Sequence, residues 1–225
     1  MSGQLIVGIH AVRTALKHGA QRIETLWFDA ARKDRRLRQL LDEARAVGVK
    51  PLASDRASLD RMTAGANHQG VVAHGEMPTS RGESDLDGLL GGLDESPLLL
   101  VLDGITDPHN LGACLRSADG AGVHAVIAPR DRAGGLTPVV CKVASGAAET
   151  MPFIQVTNLA RTLRYLRDVH RVFVVGTAGE ADTGLFQADL TGPLALVMGA
   201  EGEGMRRLTR ETCDQLVRLP MAGHV

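Results

Sequence analysis

The feature that most constrains the fold is a series of short apolar runs between residues 98 and 220. Helical stretches, for example NLARTLRYLRDVH (158–170), separate most of these runs. The six runs are LLLVLDG (98–104), VHAVIAP (123–129), PFIQV (152–156), VFVVGT (172–177), LALVMG (194–199) and QLVRLP (215–220). Continuous Val, Ile and Leu strands joined by helices are typical of a parallel sheet covered on both faces. We therefore predict an α/β domain built on such a sheet.

The first 75 residues alternate between helical and extended patterns in shorter segments. Apolar residues recur at helical spacing in HAVRTALKHG (10–19) and in DRRLRQLLDEARAVG (34–48). The segments IETLWFDA (23–30) and GVVAHG (70–75) are typical of strands. This alternation predicts a small α/β domain over residues 1–75.

Charge divides the chain into three parts. Residues 1–75 carry 12 basic and 7 acidic side chains, a net of +5, although the whole chain has a net charge of only −1. Residues 76–97 carry one Arg and six acids and are rich in Gly, Ser and Pro. We predict that residues 76–97 form a flexible acidic linker, with a long surface loop as the alternative, and that residues 98–225 form the second domain.

Composition excludes several classes of protein. No apolar run reaches the roughly 18 residues that a transmembrane helix needs, and the N-terminus lacks the layout of a signal peptide. The three cysteines, Cys114, Cys141 and Cys213, are too few and too scattered for a disulfide framework, which favours a cytoplasmic setting. The eight histidines form no HxxxH or HExxH pair, so we expect no metal site.

The segment after the first apolar run, DGITDPHNLGACLRSA (103–118), concentrates polar residues at a strand-to-helix connection. Ligands of open parallel sheets bind at the carboxyl ends of the strands. Asn110 lies where a helix N-cap is expected, Gly112 permits close approach of a backbone or ligand, and Arg116 follows in the helix. Asn and Arg together can bind a phosphate or a ribose through directional donors.

The segment after the fifth run, GAEGEGM (199–205), is rich in glycine. Its GxxGxG spacing differs from the GxGxxG of dinucleotide folds, and the chain has no GxxxxGK, which disfavours a dehydrogenase or a P-loop protein. Glu201 is a candidate carboxylate partner for a cation, for which we consider Arg116, or else a solvated loop acid. A separate basic run, RKDRRLR (32–38), could meet phosphates or could be the solvated face of a helix.

Three of these segments together resemble the motifs of the SpoU (TrmH) family. They are LVLDGITDPHNLGACLRSADGAGVHAVI, LALVMGAEGEGMRRLT and LVRLPMAGHV. GIHAVRTAL and LDRMTAGANHQGVVA resemble the family's N-terminal substrate-binding domain, which is similar to the ribosomal L30e/L7Ae fold. The resemblance implies S-adenosylmethionine-dependent RNA ribose 2′-O-methylation, a C-terminal trefoil knot and a homodimer formed through the catalytic domain. Enzymes that methylate a guanosine ribose in 23S ribosomal RNA match best, with tRNA-modifying relatives as the alternative.

The resemblance also implies roles for individual residues. It places Asn110 and Arg116 in the first motif and Glu201 as the acid of the second, so these three are the predicted catalytic residues. The predicted cofactor contacts are Gly199 and Leu219, with Thr177 and Met221 at neighbouring strand ends. The family mechanism gives the hydroxyl proton to the motif-one Arg. Since Arg normally stays protonated, we hypothesise that Arg116 also, or instead, orients phosphate and ribose.

The printed sequence ends at Val225, before the Ser-Leu-Asn-Val-Ser helix that continues the third motif in the family. Two functions therefore stay open at this point, a 2′-O-methyltransferase and a non-catalytic RNA-binding protein on the same fold. Intact Asn110, Arg116 and Glu201 favour the enzyme. A reading frame that continues past Val225 would separate the two.

Overall fold

The computed structural model describes residues 3–131 and 133–220. The strands are β1 (Gln4–Val7), β2 (Ile23–Asp29), β3 (Pro51–Ser54), β4 (Val71–Gly75), β5 (Arg81–Gly82), β6 (Leu98–Asp103), β7 (Ala125–Pro129), β8 (Phe153–Val156), β9 (Phe173–Thr177), β10 (Thr183–Gly184), β11 (Leu194–Gly199) and β12 (Gln215–Arg218). The helices are α1 (Ile9–Gly19), α2 (Arg35–Ala46), α3 (Arg56–Met62), α4 (Leu86–Gly91), α5 (Pro108–Gly120), α6 (Pro138–Val143), α7 (Ala147–Thr150), α8 (Leu159–His170) and α9 (Arg207–Thr212).

These elements form two compact units, each with its own apolar core. The first unit contains the chain up to Thr79 together with Leu136–Thr150. The second contains Ser80–Gly135 and the residues from Met151 onward. Separate cores are the physical mark of separate domains.

The first unit is built on a mixed sheet with the strand order β1-β4-β2-β3. β4 runs antiparallel to β1 and β2, while β3 lies parallel to β2. The predicted helices and strands of this region are confirmed. The carboxylate of Asp34 starts α2 by accepting hydrogen bonds from the backbone N–H groups of Arg36 and Leu37, both at 3.1 Å. Leu37, Leu40 and Ala44 then bury the inner face of α2 in the core.

The second unit is built on an eight-stranded sheet in which every pairing is parallel. Its order is β10-β12-β9-β11-β6-β7-β8-β5. All six predicted strands are present and pair with one another at the centre of this sheet, which confirms the predicted α/β class. Sequence patterns missed only β5 and β10, because a two-residue strand carries no detectable periodicity.

Residues 81–91 differ from the prediction of a flexible linker over 76–97. They form β5, which pairs with β8, and α4, whose Leu86 is fully buried in the core of the second unit. The acids of this stretch pair with α8 instead of facing only water. Glu83 accepts hydrogen bonds from Arg161 and Thr162, both at 3.0 Å, and Asp87 accepts one from the Tyr165 hydroxyl at 2.7 Å. The linker prediction is wrong for these residues because sequence alone did not show their partners.

Three further sequence expectations concern membrane helices, a metal site and the trefoil knot. Within residues 3–131 and 133–220, no helix has the length and apolar character to cross a bilayer, and no group of His, Cys, Asp and Glu is arranged to hold a metal ion. The trefoil knot stays a prediction, since residues 221–225 lie outside the described part of the chain.

We predict that Leu86→Ala lowers the free energy of unfolding by about 2–5 kcal/mol, because it leaves a cavity in the core. Leu208→Ala is the matched control, since Leu208 lies in the same unit and is 54% exposed, and its effect should stay within about 0.5 kcal/mol. Urea unfolding measures both. Equal, small losses for the two variants would mean that residues 81–91 are not packed in the core.

Candidate active site

The connection from β6 to α5 is shaped by two aspartates and a proline. Asp103 ends β6, and Gly104 follows with a φ of +89° that favours glycine. The Asp107 carboxylate caps α5 by accepting hydrogen bonds from the backbone N–H groups of His109 at 3.2 Å and Asn110 at 3.3 Å. The prediction of Asn110 as the N-cap is therefore wrong. Pro108 suits the first helical position, so the helix begins earlier than expected.

This earlier start frees the side chain of Asn110. A capping side chain would be held by the helix backbone, whereas the amide of Asn110 makes no hydrogen bond to any described residue. Ala113 and Cys114 lie three and four residues further on and share its face of the helix. That face looks into a cleft at the end of the sheet.

The loop after β11 is a tight turn. The backbone groups of Ala200 and Gly204 exchange hydrogen bonds of 3.0 and 2.9 Å, which places Glu201 in the turn between them. Gly202 and Gly204 have φ angles of +80° and +69°. A Cβ on Gly199 would lie 2.2 Å from the backbone carbon of Gly204, so only glycine fits there. The glycine spacing noted in the sequence thus serves to fold this turn back on its strand.

A buried ion pair fixes the β11 loop to the end of β6. The Asp103 carboxylate, 1% exposed, accepts hydrogen bonds from the backbone N–H of Arg206 at 2.8 Å and from its Nε at 2.6 Å. A carboxylate is buried at this depth only when it is paired and hydrogen-bonded. Sequence reasoning noted Asp103 but missed Arg206, because the two lie 103 residues apart and no local pattern joins them.

The two connections enclose a cleft of about 410 Å³. Its lining is Gly104, Ile105, Thr106, Asp107, Asn110, Ala113, Cys114, Gly199, Ala200 and Glu201. Asn110 from the first motif therefore meets Gly199 and Glu201 from the second at one site. Among the described residues that line it are two carboxylates and no cationic side chain, an arrangement that favours a positively charged ligand.

Arg116 does not join this cleft. It lies six residues after Asn110, which turns it about 120° round the helix axis, and it is exposed. No ion pair links it to Glu201 or to any other residue in the described ranges, so the suggested Arg116–Glu201 pair is not formed. Its guanidinium is therefore free to meet a ligand outside the cleft.

The predicted cofactor contacts lie at neighbouring strand ends. β12, β9 and β11 are adjacent and parallel, and Leu219, Thr177 and Gly199 lie at or just past their carboxyl ends. The Thr177 hydroxyl donates to the carbonyl of Val197 at 3.2 Å, and Leu219 is 41% exposed. Met221 lies outside the described residues.

The cysteines are packed as apolar residues. Burial, with a smaller contribution from nearby acids, raises the pKa of Cys213 to about 11 and that of Cys141 to about 12. Burial also raises the pKa of the Cys114 thiol, which lines the cleft. All three thiols are therefore neutral near pH 7, which argues against a cysteine nucleophile at this site.

Residues 97–225 match the model of the SpoU rRNA methylase family, and residues 5–80 match the model for RNA 2′-O ribose methyltransferase substrate binding. This chain belongs to the SpoU rRNA methylase family. The resemblance inferred from its three strand-end motifs is confirmed.

Relatives within the family are close in sequence. The chain is 57% identical to the 23S rRNA (guanosine-2′-O-)-methyltransferase RlmB of Ralstonia nicotianae over 222 residues, which covers 99% of this chain and 88% of the relative. It is also 57% identical to the enzyme of the same name from Yersinia pestis, covering 99% and 89%. The crystal structure of the SpoU methyltransferase AviRb from Streptomyces viridochromogenes in complex with AdoMet matches at a TM-score of 0.77 and 28% identity, covering 100% of this chain and 83% of that one.

We predict that Arg206→Ala lowers the free energy of unfolding by about 1–3 kcal/mol, because it removes a charged hydrogen bond to a buried carboxylate. The estimate is kept below that for a fully buried pair because the Arg206 side chain is 46% exposed. Arg207→Ala is the matched control, since Arg207 forms only an exposed pair with Glu211, and its effect should be near zero. If urea unfolding gave the same result for both variants, Asp103 would not depend on Arg206.

Proposed function

We propose that this chain transfers a methyl group from S-adenosylmethionine to the ribose 2′-oxygen of a guanosine in 23S ribosomal RNA. The observation that carries the proposal is the 57% identity to enzymes of that name over 99% of the chain. The geometry supports it, since Asn110, Glu201 and Gly199 line one cleft at the carboxyl ends of β6 and β11. Ligand sites of parallel sheets lie at this edge.

The residues of this site fit the cofactor. A cleft of about 410 Å³ falls within the range of small-molecule sites, about 300–1,000 Å³. Its two carboxylates, without a cationic side chain, suit a cationic sulfonium. Gly199 lines this cleft, whereas Thr177 and Leu219 are not among its lining residues and would hold the cofactor from the neighbouring ends of β9 and β12. Met221 is a fourth proposed contact. When bound, S-adenosylmethionine supplies a methyl group that its sulfonium has already activated.

The chain's own residues must position the hydroxyl and ease the departure of its proton. In the overall reaction the methyl carbon would exchange its bond to the sulfonium sulfur for a bond to the 2′-oxygen, and the hydroxyl proton would pass to solvent. Alignment and proton removal are therefore the demands on the protein. The Asn110 amide, which makes no hydrogen bond to any described residue, would bind the ribose. Glu201, at the tip of its turn, is placed to accept a hydrogen bond from the ribose or to balance the charge of the sulfonium.

Arg116 acts from outside the cleft. Its exposed guanidinium offers five N–H donors, a geometry suited to phosphate oxygens. We assign it the orientation of the RNA phosphate next to the target ribose. This role needs no deprotonation, which is demanding for an arginine.

The proposal extends to the organisation of the chain. Residues 1–75 bind RNA and residues 98–225 carry out the reaction, in agreement with the ranges of the two family matches. The partners are 23S rRNA and a second copy of the chain, joined through the catalytic domain. The protein acts in the cytoplasm, where bacterial ribosomal RNA is made, and needs no metal.

The first test is methyl transfer from labelled S-adenosylmethionine, with protein made from the full natural reading frame. Unmodified 23S rRNA and bulk tRNA are offered side by side. We expect label in rRNA as 2′-O-methylguanosine. We expect Arg116→Ala to lower kcat/KM about 100-fold, because a ribose that is no longer held in line with the methyl group reacts far more slowly.

The outcomes of this assay separate the alternatives. Label in tRNA alone would support ribose methylation but contradict 23S rRNA as the substrate. No label in either RNA would favour a non-catalytic RNA-binding protein. Arg116→Lys refines the role of the guanidinium. A loss as large as that of Arg116→Ala fits bidentate binding, while substantial rescue by Lys would contradict that geometry.

A second prediction concerns the cofactor contacts. Gly199→Ala should weaken S-adenosylmethionine binding at least about tenfold, because the added Cβ would displace the Gly204 backbone and open the turn. Gly120→Ala is the control, since a Cβ there meets nothing within 4 Å. Isothermal titration calorimetry measures both affinities. Unchanged binding by a folded Gly199→Ala protein would remove Gly199 from the cofactor site.

A further inference from the structure

A histidine without a partner lies on the helix that carries Asn110. His109 is the second residue of α5, it is exposed, and its side chain forms no hydrogen bond or ion pair with any residue in the described ranges. The other described histidines of the second unit are both paired, His124 with Glu95 at 3.1 Å and His170 with Asp87 at 2.9 Å. The imidazoles of those two residues therefore have structural partners, whereas that of His109 is available to a ligand.

Helix periodicity places His109 at the border of the catalytic cleft. At about 100° per residue, Ala113 lies about 40° round the axis of α5 from His109, and Asn110 lies about 100° from it in the same direction. Ala113 and Asn110 both line the cleft, so Ala113 lies between the Asn110 amide and the imidazole round the helix. Arg116 is seven residues after His109 and lies only about 20° from it, so the two share one side of the helix.

The substrate of the proposed reaction would pass close to His109. The proposed function assigns the ribose to Asn110 and the adjacent phosphate to Arg116, and a nucleotide that contacts both must cross the position of Ala113. Ala113 is small and exposed, which leaves room for that passage. Long side chains on a helix lean toward its N-terminus, so the reach of Arg116 is in the direction of His109.

The reaction needs an acceptor for the hydroxyl proton, and few groups near the cleft are suited to this role. A protonated guanidinium such as that of Arg116 has no acceptor atom, and burial raises the pKa of the Cys114 thiol, which is therefore neutral. Carboxylates such as those of Asp107 and Glu201 are ordinarily weaker bases than imidazole. Imidazole is the side chain that ordinarily takes up a proton between about pH 5 and 8, which favours His109 as the acceptor.

We propose that His109 is a further catalytic residue, the general base of the methyl transfer. A neutral imidazole nitrogen takes the proton of the 2′-hydroxyl while the 2′-oxygen bonds to the methyl carbon. The bond from that carbon to the sulfonium sulfur breaks, its electron pair stays on sulfur, and the imidazolium then releases the proton to water. This inference deepens the proposed function and rests on it for the ribose and the methyl donor.

The elements next to the start of α5 carry charges of both signs. The loop after β7 lies against the β6–α5 connection, since the N–H of Gly134 donates to the carbonyl of Ile105 at 3.1 Å. The charged groups on these elements are Asp107 and Arg116 of α5 and its cap, Glu201 and Glu203 of the turn after β11, and Arg130 and Asp131 after β7. None of them forms an ion pair with His109 in the described ranges, so the ring is free to change its charge during the reaction.

The test follows the single-turnover rate of methyl transfer to unmodified 23S rRNA as a function of pH, with the full natural chain. The wild-type rate should fall about tenfold per pH unit on the acid side, because the general base becomes protonated. His109→Gln should lower the rate at about pH 8 at least about 100-fold and abolish this acid limb, with Tm and the Kd for S-adenosylmethionine unchanged. His170→Gln is the matched control, since it removes a histidine of the same unit that pairs with Asp87 on α4, and it should keep the wild-type rate and pH profile.

A second variant separates proton transfer from a structural role. Free imidazole should restore part of the rate of His109→Ala, and no rescue would contradict proton transfer by this ring. An unchanged rate for His109→Gln, or an acid limb that survives the substitution, would overturn the proposal. A higher KM for rRNA at an unchanged rate would also overturn it, by making His109 an RNA contact only. If the wild-type chain transfers no label to rRNA, the proposed function fails, whereas wild-type transfer with an equally fast His109→Gln refutes only this inference.

Discussion

The ion pair between Asp103 and Arg206 is the interaction on which the catalytic site depends. It joins the end of β6 to the segment that follows β11 and so fixes the spacing between Asn110 and Glu201. Asp103 is buried, and a buried carboxylate without a partner would be strongly unfavourable. The loop after β11 is therefore held at Arg206 by the ion pair, and at Gly199 by close packing against the Gly204 backbone.

Two of the clefts that the described residues form differ in the charge of their lining. The chain places carboxylates at the strand ends of the second unit and guanidiniums between two helices of the first. The net charge of −1 conceals this arrangement, because the +5 of residues 1–75 is offset by the acidic residues that follow.

The helices and strands that could be predicted from the sequence are those with an apolar pattern within the segment itself. The six central strands and helices α1 and α2 follow from apolar periodicity, and the family was identified from three strand-end motifs. Two errors came from interactions that local patterns do not contain. Residues 81–91 differ from the predicted linker because Glu83 and Asp87 have their partners on α8, about 80 residues away. The partner of Asp103, Arg206, is equally distant in sequence, whereas the cap lies at Asp107 instead of Asn110 because Pro108 starts the helix.

Helix geometry also limits what Arg116 can do. Asn110 faces the catalytic cleft with Ala113 and Cys114, and a residue six positions later cannot share that face of a straight helix. The side chains of Arg116 and Asn110 therefore point to different faces of α5, about 120° apart round its axis. A substrate that met both Asn110 and Arg116 would have to reach two sides of this helix. An exposed guanidinium, with five N–H donors and no acceptor, is better suited to holding a phosphate than to receiving a proton.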